Sequence, residues 1–268
     1  MGLSAFHAFR TPTPARVCLS ALPDAILRQQ AAVAAIAARA RGAATCLVGI
    51  ARAEEFQGVI VRPGASLRRG RDLRDRRFGL PSAHLQSGGP RAHALRGAVA
   101  ALESEGLFFR HMQWVDLPAA ESLTLTLPTA YSAEIAALEN GLVDAVYVRG
   151  PAGLEAARAA NARVLVDIGA HRDSWVRLNT ALLQVVTVSE TLLKEHPQVI
   201  AEALLERWPL LPSDLSLDEG SMGALDALKT FMLRWAFIHA DFATPSWTGG
   251  EAPQLETGHR REPLYSPA

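Results

Sequence analysis

Short apolar runs alternate with helical patterns in the middle of the chain, between residues 131 and 169. A short helix is predicted to end at Asn140-Gly141, because glycine tolerates the left-handed conformation that often follows a helix. The apolar run 145–148 then predicts a buried strand, Gly150-Pro151 begin a second helix, and 164–166 predict a second strand. Buried strands that alternate with helices are typical of a parallel sheet covered by helices. The pattern therefore predicts an α/β protein.

The same patterns predict elements on both sides of this segment. Strands are predicted at 46–50, 56–61, 78–81, 112–117 and 182–188. Helices are predicted at 23–41, 91–103, 189–205 with a break at His196-Pro197, and 218–237. Residues 240–268 are rich in Pro, Gly and Thr without periodicity, so a poorly ordered tail is expected there.

Composition is consistent with a globular chain of one large domain or two lobes. The 268 residues are 49% hydrophobic, enough for a sizeable core, and the 27 basic and 27 acidic residues give no net charge. This balance gives no overall electrostatic argument for a nucleic-acid partner or an anionic membrane. Cys18 and Cys46 are too few for a disulfide framework; a single disulfide stays open, and two buried thiols are expected.

Nothing in the sequence predicts a membrane span or a secretory leader. No apolar run is long enough to cross a bilayer. Residues 1–17 lack a continuous apolar core and a small-residue cleavage site. The expectation is therefore either a cytoplasmic protein or a reading frame without its leader.

Two polar stretches are candidates for anion binding. Residues 66–77 hold six arginines with two aspartates, a composition that favours a solvated, internally paired turn over a phosphate site. The loop 82–90 contains Ser and Gly and precedes a predicted helix, so its hydroxyls and backbone N–H groups could donate hydrogen bonds to an anion. An ordinary capping loop explains the second stretch equally well.

Signatures of known catalytic sites do not occur in the sequence. There is no Gly-rich phosphate loop, no G-x-S-x-G elbow, no H-E-x-x-H and no paired-cysteine zinc spacing. His84 and His93 are nine residues apart around a predicted turn, which is weak support for a metal site. We therefore expect no metal and no cofactor.

Longer motifs resemble a known family. They are Asp72-Leu73-Arg74-Asp75-Arg76-Arg77-Phe78-Gly79, residues 133–145, residues 164–169, and residues 185–201 with Glu195-His196-Pro197. Together they resemble the periplasmic solute-binding proteins of nitrate, sulfonate and taurine ABC transporters, a group that includes the aromatic sulfinate desulfinases. The similarity covers about residues 45–238. It implies a two-lobed periplasmic-binding-protein-like (type II) α/β fold, with lobe 1 at 1–76 plus 171–239, lobe 2 at 77–170, and a ligand between them.

The resemblance also implies where a ligand binds. In this family hydroxyls, backbone N–H groups and often an arginine hold an oxyanion head group. The matching positions here are Thr11, Ser82, Ser87, Gly88, Tyr131 and Arg149. Arg149 is the strongest candidate, because a guanidinium can hold a sulfonate or carboxylate with two parallel hydrogen bonds. The alternative is a surface arginine at the end of a strand.

Departures from the family pattern bear on the activity. Thr11-Pro12-Thr13-Pro14 replaces the Cys-Pro-x-Pro of the desulfinases, so the nucleophilic thiolate is absent at that position. Residues 15–44 do not show the pattern of a first lobe, which is therefore expected to be atypical or incomplete. The related thiamine pyrimidine synthases need a Cys-rich motif and a cofactor lysine, and neither is visible.

Two functions follow from the resemblance. The first is a monomeric solute-binding protein for a small organic anion, such as a sulfonate, taurine or nitrate, that serves an ABC permease and is periplasmic. The second is a cytoplasmic desulfinase-like hydrolase of a C–S bond, or a decayed relative without the nucleophilic cysteine. The absent cysteine favours binding and the absent leader favours the hydrolase. A chain whose atypical first lobe leaves it without function is the third expectation.

Overall fold

The computed structural model describes residues 27–53, 55–82, 89–117, 130–207 and 215–248, and their strands form two sheets. The strands are β1 (Leu27–Ala31), β2 (Thr45–Ala53), β3 (Gln57–Val61), β4 (Arg77–Pro81), β5 (Gln113–Leu117), β6 (Ala145–Arg149), β7 (Arg163–Asp167) and β8 (Leu182–Ser189). The helices are α1 (Ala32–Ala40), α2 (Gly89–Glu103), α3 (Ser132–Glu139), α4 (Gly150–Ala159), α5 (Ser174–Asn179), α6 (Glu190–Glu195), α7 (Pro197–Arg207) and α8 (Glu219–Arg234). The α/β prediction is confirmed.

The larger sheet has the strand order β5-β4-β6-β3-β7. Strand β4 is parallel to β5 and to β6, whereas β3 is antiparallel to both β6 and β7. Strands β6 and β7 therefore run in the same direction, as predicted for strands joined by a helix, but β3 lies between them. As a result, the ends of β4, β5, β6 and β7 share one edge of the sheet with the beginning of β3. We call this the carboxyl edge.

A charged pair fixes the neighbouring strands β4 and β6 at the opposite edge. Asp144 accepts hydrogen bonds from the backbone N–H of Arg77 (2.9 Å) and from its Nε (3.2 Å) and Nη2 (2.9 Å). These contacts lower the pKa of the Asp144 carboxyl, although partial burial opposes them. Both residues lie in the segments that carry the family resemblance. Their contact is structural, which explains why these motifs indicate the fold and not the ligand.

Helix α2 covers the larger sheet with a mainly apolar face. Leu95, Ala98 and Leu102 are buried in the cluster that also contains Phe78. Gly97 permits the closest approach, since a Cβ there would lie 2.2 Å from the ring of Tyr147. The position therefore has room only for glycine.

The smaller sheet, with the order β1-β8-β2, is antiparallel throughout. The sequence predicted one helix over 23–41, but residues 27–31 pair with β8 as strand β1, and only 32–40 are helical. Pairing with β8 supplies backbone hydrogen bonds for the whole of β1, and this tertiary contact overrides the helical preference of the neighbouring alanines.

The beginning of the predicted tail is well packed. Residues Thr244–Thr248 form a 3-10 helix, and Trp247 is fully buried with its Nε1 donating to Thr45 Oγ1 (3.2 Å). Lys229 of α8 is 8% exposed at its side chain, and its Nζ donates to Phe242 O (2.6 Å) and pairs with Asp241 (2.8 Å). The prediction of poor order is thus wrong for 240–248, whereas 249–268 lie outside the described residues.

The division into lobes at 76/77 and 170/171 stays a prediction. Sheet membership puts β3, at 57–61, in the middle of the larger sheet and so with residues 77–167. Grouping by sheets would move the first boundary to about residue 55. Within the described ranges, none of the helices combines the length and apolarity that crossing a membrane requires.

Candidate functional site

The carboxyl edge of the larger sheet places two of the predicted ligand residues. Ser82 follows β4 and is half-buried, and Arg149 is the last residue of β6. Helices α2 and α4 begin at this edge, after β4 and β6 respectively. In open α/β sheets, ligands bind outside the carboxyl ends of parallel strands, where helix N-termini favour anions. The predicted ligand residues Thr11, Ser87 and Gly88 lie outside the described residues.

Tyr131 and Arg149 are brought into direct contact. The Tyr131 hydroxyl accepts from the backbone N–H of Arg149 (3.1 Å) and donates to its carbonyl (3.1 Å). Tyr131 precedes α3 in the left-handed conformation, with φ 63°, which is uncommon for a residue other than glycine. Burial raises the pKa of this hydroxyl, so it stays protonated and keeps its role as a donor. Tyr131 therefore fixes the backbone from which the Arg149 side chain extends.

The Arg149 guanidinium remains partly available. Its side chain is 32% exposed, and Nη1 lies 3.8 Å from Glu55 Oε2, a distance that indicates a loose ion pair. Gly150 adopts φ +67°, and a Cβ there would lie 3.0 Å from the same carboxylate oxygen. The glycine thus leaves room for Glu55 beside the arginine. Glu55 orients Arg149 and also competes with any anion for its charge.

A second row of polar groups lies beside Arg149 under α2. Tyr147, two residues before Arg149 on the same face of β6, donates its hydroxyl to Gln57 Oε1 (2.9 Å). Gln57 is directly opposite Arg149 in the β3–β6 ladder. Burial raises the pKa of Tyr147 well above its usual value, so this hydroxyl also stays protonated.

His93 is a buried, uncharged imidazole in this cluster. It lies in the first turns of α2 and is 7% exposed. Burial, together with the positive charges of Arg149 and Arg96, lowers its pKa from 6.5 to about 3. At neutral pH the imidazole therefore adds hydrogen-bonding capacity beside two guanidiniums without adding charge.

Arg96, one turn after His93, is a buried cation. It is 7% exposed, and burial lowers its pKa to about 10, which leaves it charged at neutral pH. Its Nη1 donates to Ala181 O at 3.3 Å, and no carboxylate of the described ranges forms an ion pair with it. Buried charges are usually paired, so a guanidinium without a carboxylate indicates a positive potential inside the molecule.

The cysteine that the structure describes lacks the features of a catalytic nucleophile. Cys46, the cysteine that the structure describes, is buried in β2, and burial raises the pKa of its thiol. A buried thiol of raised pKa is a poor nucleophile. Among the described residues no group of His, Cys, Asp and Glu side chains could hold a metal ion. Cys18 lies outside these residues.

The sequence analysis identified the candidate residues at the strand ends but missed His93 and Arg96 on α2. The sequence analysis treats His93 only as a possible metal ligand with His84. His93 and Arg96 are three residues apart, the spacing of one helical face, and the other buried residues of α2 are apolar. Two polar residues at that spacing were the available signal.

Comparison with known proteins supports the fold. No protein-family model matches the chain, and no curated protein is significantly similar to it in sequence. Solved structures are similar. The desulfurization enzyme DSZB has a TM-score of 0.61 and 22% identity, over 83% of this chain and 82% of that one. A putative periplasmic sulfonate-binding protein SsuA from Methylobacillus flagellatus KT has a TM-score of 0.61 and 13% identity, over 83% and 71%.

A third solved structure leads to the same conclusion. The periplasmic aliphatic sulphonate binding protein SsuA from Escherichia coli has a TM-score of 0.53 and 15% identity, over 80% of this chain and 72% of that one. Identities this low establish a shared architecture and leave the ligand open. The chain therefore has the periplasmic-binding-protein-like α/β fold that the desulfurization enzyme and the sulfonate-binding proteins share.

Proposed function

We propose that the protein binds a small organic anion with a sulfonate-like head group at the carboxyl edge and presents it to an ABC importer. The observation that carries the proposal is the placement of Arg149. Its backbone is held by Tyr131, its guanidinium is partly exposed, and its charge acts on the buried, uncharged His93. A guanidinium supplies the paired donors that a sulfonate or carboxylate accepts.

The names of the structural neighbours support a sulfonate-like head group. Two of them are named as sulfonate-binding proteins, and a mutant of the desulfurization enzyme DSZB has been solved in complex with biphenyl-2-sulfinic acid. Sulfonates and sulfinates share a tetrahedral or pyramidal sulfur with several acceptor oxygens. The anionic group would accept hydrogen bonds from Arg149 and from the hydroxyl of Ser82. The partner that transport requires is the permease.

Thermal stabilisation by ligands tests this site. The panel is benzenesulfonate, taurine and nitrate, measured on the wild type, Arg149→Ala and the matched control Arg158→Ala, which removes an exposed arginine from the last turn of α4. We expect at least one sulfonate to stabilise the wild type and Arg158→Ala. Loss of charge-assisted hydrogen bonds worth about 1.5–3 kcal/mol should weaken binding about 10- to 150-fold in Arg149→Ala.

Glu55→Gln should change the sulfonate affinity in the opposite direction to Arg149→Ala. It removes the carboxylate 3.8 Å from the Arg149 guanidinium, so sulfonate affinity should rise several-fold. The site assignment is wrong if the panel stabilises Arg149→Ala as much as the wild type, or if Glu55→Gln weakens binding.

A desulfinase-like hydrolase is the second candidate, because the desulfurization enzyme is among the similar structures. Incubation of the protein with an aryl sulfinate, followed by an assay for sulfite, separates the two classes. The binding proposal predicts stabilisation by the sulfinate without sulfite release. Sulfite formed in proportion to protein concentration would establish the hydrolase.

A further inference from the structure

A cavity of about 380 Å³ lies between α2, α5 and α8, apart from the Arg149 site. Its volume falls within the range of about 300–1,000 Å³ that is typical of small-molecule sites. Val99, Val176 and Phe231 contribute apolar walls, and Arg96 is its buried charged group. The cavity thus places a buried cation next to apolar wall residues, as sites for amphipathic anions do.

Arg96 lines this space and has more donors than the protein uses. Its Nη1 donates one N–H to the Ala181 carbonyl, whereas a guanidinium has five N–H groups in all. In the parts of the chain that the structure describes, every fully buried side-chain nitrogen or oxygen has a hydrogen-bond partner. Nε and Nη2 of Arg96 are therefore not fully buried, and the cavity is a space that Arg96 lines.

The burial of the lining residues gives the cavity an inner and an outer end. Arg96 is 7% exposed, whereas Glu103 and Asp173 are both exposed. Glu103 is seven residues after Arg96 on α2, which corresponds to about 10 Å along the helix axis. A ligand would therefore place its anionic group inside on Arg96 and its other end near acidic side chains.

We propose that this cavity is a second binding site, which takes a small organic monoanion with a carboxylate on Arg96 and an apolar body against Val99, Val176 and Phe231. The planar guanidinium matches a carboxylate in bidentate geometry, and the apolar walls match a ring or branched chain. The acidic rim disfavours a second negative charge at the outer end. The site is distinct from the Arg149 site, because its lining residues lie on or next to α2, α5 and α8 and not on β6.

Benzoate is the probe, with benzyl alcohol as its uncharged analogue. All measurements use the full chain in an Arg149→Ala background, so that the carboxyl edge does not contribute a second binding event. Titration calorimetry should detect benzoate in this background and much weaker binding of benzyl alcohol. Terephthalate, which carries a second carboxylate at the opposite end of the ring, should bind more weakly than benzoate.

Two variants test the cavity by different means. Arg96→Met removes the charge and should weaken benzoate binding about 10- to 100-fold, the loss expected for a charged hydrogen-bonded pair. Ala227→Leu fills the cavity from α8, where Ala227 is half-buried, and keeps Arg96. It should abolish benzoate binding, and it replaces Arg96→Met as the test if Arg96→Met does not fold.

The proposal is overturned if benzoate at 10 mM does not bind in the Arg149→Ala background, or if a folded Arg96→Met or Ala227→Leu variant binds it unchanged. These outcomes are independent of the sulfonate panel. Sulfonate binding that depends on Arg149, together with no benzoate binding, would refute the cavity site alone. Benzoate binding that depends on Arg96, without any sulfonate response, would refute the carboxyl-edge site alone.

Discussion

Protonation of His93 should make the protein unusually sensitive to mild acid. The pKa of His93 is about 3 in the folded chain and 6.5 for an ordinary histidine. Between these values the unfolded state binds a proton that the folded state does not, so acidification stabilises the unfolded state. The contribution of His93 to stability is therefore fully present above pH 6.5 and is lost as the pH falls towards 3.

The magnitude follows from proton linkage. With the unfolded pKa at 6.5, lowering the pH from 7 to 5 reduces the free energy of unfolding by about 2 kcal/mol through His93 alone. The whole difference between the pKa values of His93 in the unfolded and folded states lowers the free energy of unfolding by at most about 5 kcal/mol, at about 1.36 kcal/mol per pKa unit. Replacement by Gln keeps an uncharged polar side chain and removes the titration.

Urea unfolding at pH 7 and pH 5 measures this effect. The loss of stability between the two pH values should be about 2 kcal/mol smaller in His93→Gln than in the wild type. His239→Gln, at an exposed position, is the matched control for the substitution. Equal losses in the wild type and His93→Gln would mean that His93 titrates normally, and the buried, uncharged imidazole of the site would be refuted.

Two further predictions concern packing. Gly97→Ala should destabilise the fold by about 1–3 kcal/mol, because the new Cβ would lie 2.2 Å from the Tyr147 ring, whereas Gly223→Ala, where a Cβ meets nothing within 4 Å, should stabilise α8 by up to about 1 kcal/mol. Thermal or urea unfolding compares the two, and a stabilised Gly97→Ala would contradict the close contact. Trp247→Ala should cost about 3–5 kcal/mol in the same assay, since this side chain is fully buried and bonds to Thr45. An effect below about 1 kcal/mol would show that residues 244–248 are not part of the core.

Local periodicity predicted the elements whose burial follows one repeating pattern. The run 145–148, the helix that begins at Gly150-Pro151 and the run 164–166 became β6, α4 and β7. What the sequence could not give was their neighbours. Strand β3 lies between β6 and β7 because it pairs with residues about 90 positions away on β6 and more than 100 positions away on β7, and no periodicity within a short window records such a contact.

Two predictions differ from the structure for the same reason: the helix expected at 27–31 and the poor order expected around Trp247. Residues 27–31 contain few apolar side chains and precede an alanine-rich helix, so only their pairing with β8 reveals a strand. Trp247 is a single buried residue in a segment without periodicity, and its contact with Thr45 spans 202 positions. Both depend on tertiary contacts, which override local preference.

The candidate site was predictable only at the strand ends. Arg149 and Tyr131 were expected at the ligand, and the structure brings them together through hydroxyl-to-backbone hydrogen bonds. Their role in binding stays a prediction. His93 and Arg96 could not be recognised as a cluster, because the positive potential around them depends on burial and on the absence of a described carboxylate, which are properties of the fold.

A crystal structure with 4-bromobenzenesulfonate tests the central claim most directly, because the anomalous signal of bromine locates the ligand without ambiguity. Arg149 should donate to a sulfonate oxygen at about 2.7–3.1 Å, with the ring directed away from the end of β6. The anion-receptor account would be contradicted by crystals soaked to saturation in which the sulfonate occupies no position at the carboxyl edge.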